Sequence, residues 1–199
     1  MSIFWKGRLQ RLLFASSVLL LTIILAACGT SGNSTAPSIP RPAPSPVFQL
    51  YAGPGFSISY PAPWVIRTAK ISVTFSDLSG AYNLLVSFTP DPRGAVTPDQ
   101  LAEASLASTR ASLRNSRTVQ VPSTVNLAGT TWSQRAVSGT TLSNGQQIAI
   151  EVVILATTHP AHTASTRSVV LTYLGSQSLF NQAQHTYFVP MLQSFKFTA

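Results

Sequence analysis

The dipeptide Asn144-Gly145 constrains the fold of this chain more than any other feature. It joins two strand-like runs, 132–141 and 146–157. Asn-Gly accepts the left-handed backbone of a type I′ turn, whose twist matches that of two paired strands. Arms joined so tightly can only lie antiparallel, because a parallel neighbour needs a crossover of a dozen or more residues. A long hairpin must therefore sit within an antiparallel sheet.

Other segments fit the same sheet. Phe56-Ser57-Ile58-Ser59-Tyr60 alternates apolar and polar residues and stops at Pro61, as a half-buried strand does. Pro61-Ala62-Pro63 then forms a turn leading to Trp64, Val65 and Ile66. Ile71, Val73 and Phe75 alternate again, and the stretch 82–89 is more continuously apolar. Val119 and Val121 precede a break at Pro122, Val125 and Leu127 precede Gly129, and 169–173 is a further strand.

Two helices interrupt this pattern. Thr97-Pro98-Asp99-Gln100 combines a capping threonine, a proline suited to the first turn, an aspartate at the positive dipole end and a glutamine completing a capping box. The helix is expected to run to about Asn115, burying Ala102, Leu106, Thr109 and Leu113 as one stripe. A second helix is expected to open at Gly175-Ser176 and to bury Phe180, Ala183, Tyr187 and Met191, with Pro190 kinking or ending it. Strands, a helix, a long meander and a closing helix describe an α+β fold, an antiparallel sheet flanked by helices.

The N-terminus is of a different kind. Lys6, Arg8 and Arg11 precede an apolar stretch, 12–27, broken only by Ser16, Ser17 and Thr22. Basic, then apolar, then small residues is the order of a secretory signal. The stretch is shorter than the roughly 18–20 residues that span a bilayer core. It ends in Leu25-Ala26-Ala27-Cys28, which resembles a bacterial lipobox. That resemblance implies removal of 1–27 and diacylglyceryl attachment at Cys28. Each buried CH₂ of an acyl chain contributes about 0.8 kcal/mol, and two chains suffice for stable anchoring. Residues 28–46, carrying Pro37, Pro40, Pro42, Pro44 and Pro46, have the composition of a semi-rigid linker. The folded domain is expected to occupy 47–199, so the chain belongs on the outward membrane face.

Charge and cysteine content narrow the chemistry. Loss of Lys6, Arg8 and Arg11 from 13 basic residues leaves ten against five acidic ones, a net charge of +5. That excess is too dilute for nucleic acid, which needs clustered cations, but it suits an anionic surface polymer or lipid. Cys28 is the only cysteine. Once it is acylated, neither a disulfide nor a thiol-based site can form.

A family resemblance rests on three places. Gly55-Phe56-Ser57-Ile58-Ser59-Tyr60-Pro61 with Trp64, Leu127-Ala128-Gly129 with Trp132, and Phe180, Phe188 and 191–197 resemble the PsbP-like family, of the Mog/PsbP-type fold. The resemblance covers nearly all of 47–199 and implies an α/β/α sandwich. Relatives in that family act mainly by binding, and none of their functional motifs can be carried over here.

Candidate chemistry is sparse. His159 and His162 form His-Pro-Ala-His in a stretch read as a loop, 159–166, and His185 lies on the closing helix. A metal site needs further ligands, and no acidic residue lies near the loop in sequence. Asp77, Asp91, Asp99, Glu103 and Glu151 are too scattered for an acid–base pair, and Gly175-Ser176-Gln177-Ser178 lacks the closing glycine of a nucleophile elbow. Arg110, Arg114 and Arg117 are expected to form a basic edge at the end of the first helix, where cations meet the negative dipole end. Trp64 and Trp132 read as core. The expected function is that of a membrane-anchored binding or assembly module with no cofactor and no catalytic motif, its partners the membrane and a protein or anionic polymer. The alternative is a carrier of a small apolar solute or lipid in a pocket between sheet and helices.

Overall fold

A computed structural model describes residues 45–91, 93–143, 145–161 and 163–198. Cys28, the signal stretch, most of the linker, Asn144 and His162 lie outside the described residues. The long hairpin is present: β8 (Thr130–Ser143) pairs antiparallel with β9 (Gln146–His159) in a register closing at Ser143↔Gln146. Gly145 takes φ 79°, a left-handed backbone open to glycine without strain.

Nine further strands complete two sheets. They are β1 (Phe48–Gly53), β2 (Phe56–Pro61), β3 (Val65–Ala69), β4 (Ser72–Ser76), β5 (Asn83–Pro90), β6 (Arg114–Thr118), β7 (Thr124–Leu127), β10 (Arg167–Ser176) and β11 (Lys196–Phe197). The large sheet runs β3-β4-β5-β10-β9-β8-β6, with β7 also pairing β8, and the small one runs β1-β2-β11. All pairings are antiparallel. The α+β class expected from the sequence is the one observed.

The second half of β9, residues 152–157, is buried on both faces, which explains its continuous apolar run. Val152 and Ile154 face α1 (Pro98–Ser112) with Leu106 and Val137. Val153 and Leu155 face the larger core, where Phe56, Ile58, Phe75, Trp132, Phe188 and Phe195 meet between the large sheet, the small sheet and the C-terminal helical segment. Successive side chains point to opposite faces of a strand, so one strand serves both cores.

The first helix carries the expected capping box between Thr97 and Gln100, and it buries Ala102 and Leu106. It ends at Ser112, not Asn115. Leu113 turns extended and Asn115 takes φ 52°, which sends the chain directly into β6. Arg114 and Arg117 therefore lie on a sheet-edge strand, and the expected helical row of three arginines does not exist. Arg110 alone remains on the helix, where its guanidinium donates to the Thr118 hydroxyl.

The closing segment also differs. Gly175 and Ser176 belong to β10, and a 3₁₀ turn (Gln177–Leu179) leads into α2 (Phe180–Ala183), a π turn (Gln184–Phe188) and α3 (Val189–Ser194). Proline in a regular helix clashes with the carbonyl four residues back. The wider π turn lies where that clash would fall, so the chain stays helical through Pro190. The turn also shifts the buried phase. Phe188 is fully buried, while Tyr187 is half-buried and packs on Trp64 and Tyr82. Strand β1 is an addition: Phe48 to Gly53 alternate weakly in the sequence and are recruited by pairing with β2.

Candidate functional site

Two concavities stand out, on opposite faces of the large sheet. The first is a groove of about 510 Å³ beside the C-terminal end of α1. Leu113, Leu142, Ile148, Ile150, Val152 and Leu174 supply its apolar surface. Thr109, Ser112, Thr141, Thr172 and Ser176 supply hydroxyls around it, and no charged residue lines it. The distal part of the β8–β9 hairpin extends past α1, leaving Leu142 and Ile148 exposed at 53% and 37%. Gly139 makes the neighbouring seam possible, because a Cβ there would come within 3.0 Å of the Arg114 carbonyl and of Leu113 Cβ.

The second is a cleft of about 500 Å³ at the seam between the two sheets. Its walls come from the β1–β2 turn, β5, the end of β9, the start of β10 and β11. His159, expected in a loop, is the last residue of β9. It stands directly opposite Arg167 in the β9–β10 register. Its ring lies on Phe197 at 3.7 Å between centroids and 5° between planes, and Phe197 lies parallel to Trp132 at 5.9 Å. Desolvation lowers the His159 pKa below its ordinary 6.5, which favours the neutral imidazole. Arg167 has no carboxylate within ion-pair distance among the described residues. One of its terminal nitrogens lies 3.2 Å from where a Cβ on Gly55 would sit, and Gly55 has φ 89°. The bare glycine of the Pro54-Gly55 turn thus lets a guanidinium approach the backbone closely.

The remaining candidates fall elsewhere. Asp99 and Glu103 do not form a catalytic pair: both hold Arg135 of β8, clipping α1 to the sheet at an exposed site. Asp77 accepts from the Tyr82 and Ser79 backbone amides, and Asp91 from those of Ala95 and Val96. Both are turn builders. Glu151 is half-buried, and burial raises its pKa. Tyr173 is pushed up to about 12, first by burial and then by the Glu151 charge. His185 lies on the π turn, away from His159. Trp64 and Trp132 are core residues, and the Trp132 indole N–H donates to the Leu127 carbonyl at 3.0 Å. Among the described residues no group of three or more His, Asp or Glu side chains could hold a metal ion. No helix of the described residues is long and apolar enough to cross a membrane.

Sequence reasoning missed Arg167, Phe197 and the seam they line. Pro54-Gly55 signals a turn, but nothing local says that a strand from the far end of the chain closes beside it.

No family model matches the sequence, and no curated protein matches it. The fold is similar to that of solved structures. LpqN, involved in cell envelope biogenesis of Mycobacterium tuberculosis, superposes with a TM-score of 0.50 at 12% identity, covering 77% of this chain and 91% of that one. A Bacteroides thetaiotaomicron protein gives 0.46 at 12% identity over 75% of this chain and 48% of that one. The likeness to LpqN bears on the fold alone.

Proposed function

We propose that this chain is an extracytoplasmic lipoprotein, held on the membrane through Cys28, whose domain is a PsbP-like binding module that seats an apolar ligand. The observation that carries the reading is the uncharged groove beside α1. Ligand pockets for apolar molecules are concavities of roughly 300–1,000 Å³ with apolar walls and few polar groups. The groove is of that size, and its hydroxyl rim can orient a ligand without contributing net charge. It lies between the sheet and a helix, where a carrier would hold its cargo. Among the described residues no acid or base lines it, which favours binding over chemistry. Its resemblance in fold to LpqN supports work in the cell envelope.

Acylation at Cys28 would keep the domain at a membrane, the natural source of an apolar chain. The arginines of β6 offer a docking edge for an anionic envelope polymer, the partner class that the positive charge favours. Mass spectrometry of the natively extracted full chain tests the reading. A copurifying apolar small molecule, lost in Leu142→Asp and Ile148→Asp variants of unchanged melting temperature, is the expected result. A wild-type protein that takes up no apolar molecule, or variants that retain it, overturns the groove as the site. Cys28→Ser protein that still fractionates with lipid after signal removal overturns the anchor.

A further inference from the structure

The groove leaves the cleft at the sheet seam unexplained, and that cleft has a different chemistry. Arg167 brings a permanent positive charge into it, opposite His159 across the strand pair. Phe88, Phe197, Val169, Pro54 and Pro160 surround the pair with apolar surface. The rings of His159 and Phe197 lie flat on each other, making a planar wall. We propose that this cleft, built from Gly55, Phe88, His159, Arg167 and Phe197, is a binding site for a small aromatic carboxylate.

Each part of that ligand answers to something in the cleft. A guanidinium meets a carboxylate through two parallel hydrogen bonds, the strongest pairing such a group makes. Arg167 forms no ion pair with a carboxylate among the described residues, and its guanidinium lines the cleft. Arg167 is the one Lys, Arg, Asp or Glu side chain lining the cleft among the described residues, so a monoanion is matched where a phosphate dianion is not. Lys70 and Lys196 line the adjoining hollows but not the cleft itself. The ligand body must be apolar to replace water against Phe88, Pro54 and Pro160, and a flat ring can stack on the face of His159 that Phe197 does not cover. The neutral imidazole can donate one further hydrogen bond to the carboxylate. Gly55 is part of the design, because any side chain there would occupy the place beside the guanidinium.

The site would be assembled only in the folded protein. β11 pairs with β2 through Phe197↔Phe56, and the Thr198 amide donates to the Gly55 carbonyl at 3.1 Å. These contacts bring Phe197 and Gly55 together at the cleft that Arg167 also lines. The position lies on the face of the sheet opposite the α1 groove, so the two sites can be emptied separately.

The test uses full-length protein in nanodiscs, with empty nanodiscs as the baseline, and fluorine NMR of 4-(trifluoromethyl)benzoate as the probe. The neutral comparison is 4-(trifluoromethyl)benzamide. Saturable broadening of the benzoate signal, reversed by unlabelled benzoate and weakened about tenfold or more for the amide, is expected. Arg167→Gln should weaken the benzoate about tenfold or more, and Arg167→Lys should retain part of the binding, with melting temperatures unchanged because Arg167 is exposed. Leu142→Asp should leave benzoate binding intact, which separates this site from the groove. Absence of saturable binding to the wild type, equal binding of the amide, or full binding by folded Arg167→Gln would overturn the assignment.

Discussion

Replacing Trp132 should be among the most damaging single changes in the domain, and its effect should reach the seam cleft. Its ring is fully buried, edge-on to Phe195 at 5.8 Å and parallel to Phe197 at 5.9 Å, and its N–H satisfies the Leu127 carbonyl. An aromatic side chain of this kind buries roughly 200 Å², worth about 5 kcal/mol at 25 cal/mol per Å². Truncation of buried Trp or Phe to Ala usually costs about 3–5 kcal/mol. The freed Leu127 carbonyl adds about 1–3 kcal/mol unless water reaches it. These effects overlap, so Trp132→Ala should cost about 4–6 kcal/mol. Trp132→Phe keeps most of the ring but loses the hydrogen bond, and should cost about 1–3 kcal/mol. For a domain of this size each kcal/mol moves the melting temperature by roughly 2–4 °C. Urea unfolding followed by far-ultraviolet circular dichroism gives both free energies. The same variants report on the cleft, because Phe197 lies between Trp132 and His159. With Phe197 loosened, His159 should regain solvent and titrate closer to 6.5 in a proton NMR titration. A loss below about 1 kcal/mol for Trp132→Ala, or an unchanged His159 titration in that variant, would refute this account of the core.

Four further outcomes follow from particular contacts. Gly139→Ala should destabilise by about 1–3 kcal/mol in urea unfolding, because its new Cβ meets the Arg114 carbonyl and Leu113 Cβ at 3.0 Å each. Arg135→Met should cost at most about 1 kcal/mol in the same assay, since Asp99 and Glu103 are 65% and 55% exposed and their ion pairs are screened by water. Burial raises the Glu151 pKa above 4.5, so the stability contribution of this group is full below pH 4.5 and is lost as pH rises through the folded value. Glu151→Gln should therefore melt higher than wild type at pH 7, with the gap closing by pH 4 in scanning calorimetry. Burial lowers the His159 pKa, so the folded state disfavours its proton and stability should decline as pH falls below 6.5. His159→Gln should remove that part of the pH dependence of the melting temperature.

Features that depend on neighbours within a turn were legible in the sequence. The Thr97–Gln100 capping box, the Ala102-Leu106-Thr109-Leu113 stripe and the hairpin at Asn144-Gly145 are local patterns; the structure carries the box and buries Ala102 and Leu106, while Thr109 is half-buried and Leu113 lies past the helix end. The hairpin appears as the Ser143↔Gln146 closure. Alternation in β2 and β4 marked those strands, and the continuously apolar stretch 82–89 marked β5. The α+β class follows from their order, because short connections permit only antiparallel neighbours.

Other features needed the tertiary structure, each for a stated reason. Arg114 and Arg117 look like a continuation of α1, yet pairing with β8 pulls them into a strand, since edge pairing outweighs a weak helical preference. Tyr187 sits at helical spacing from Ala183, but the π turn that precedes Pro190 delivers Phe188 to the core instead. His159 and Arg167 are eight positions apart in the chain and become cross-strand partners only when β9 and β10 pair. Gly55, Phe88 and Phe197 come from separate parts of the chain, so neither periodicity nor a motif could show that they share a cleft. The sequence alone determined the local elements and their class, because those depend on backbone propensity and side-chain period. The tertiary structure alone decided the sites, because a site is a meeting of distant residues.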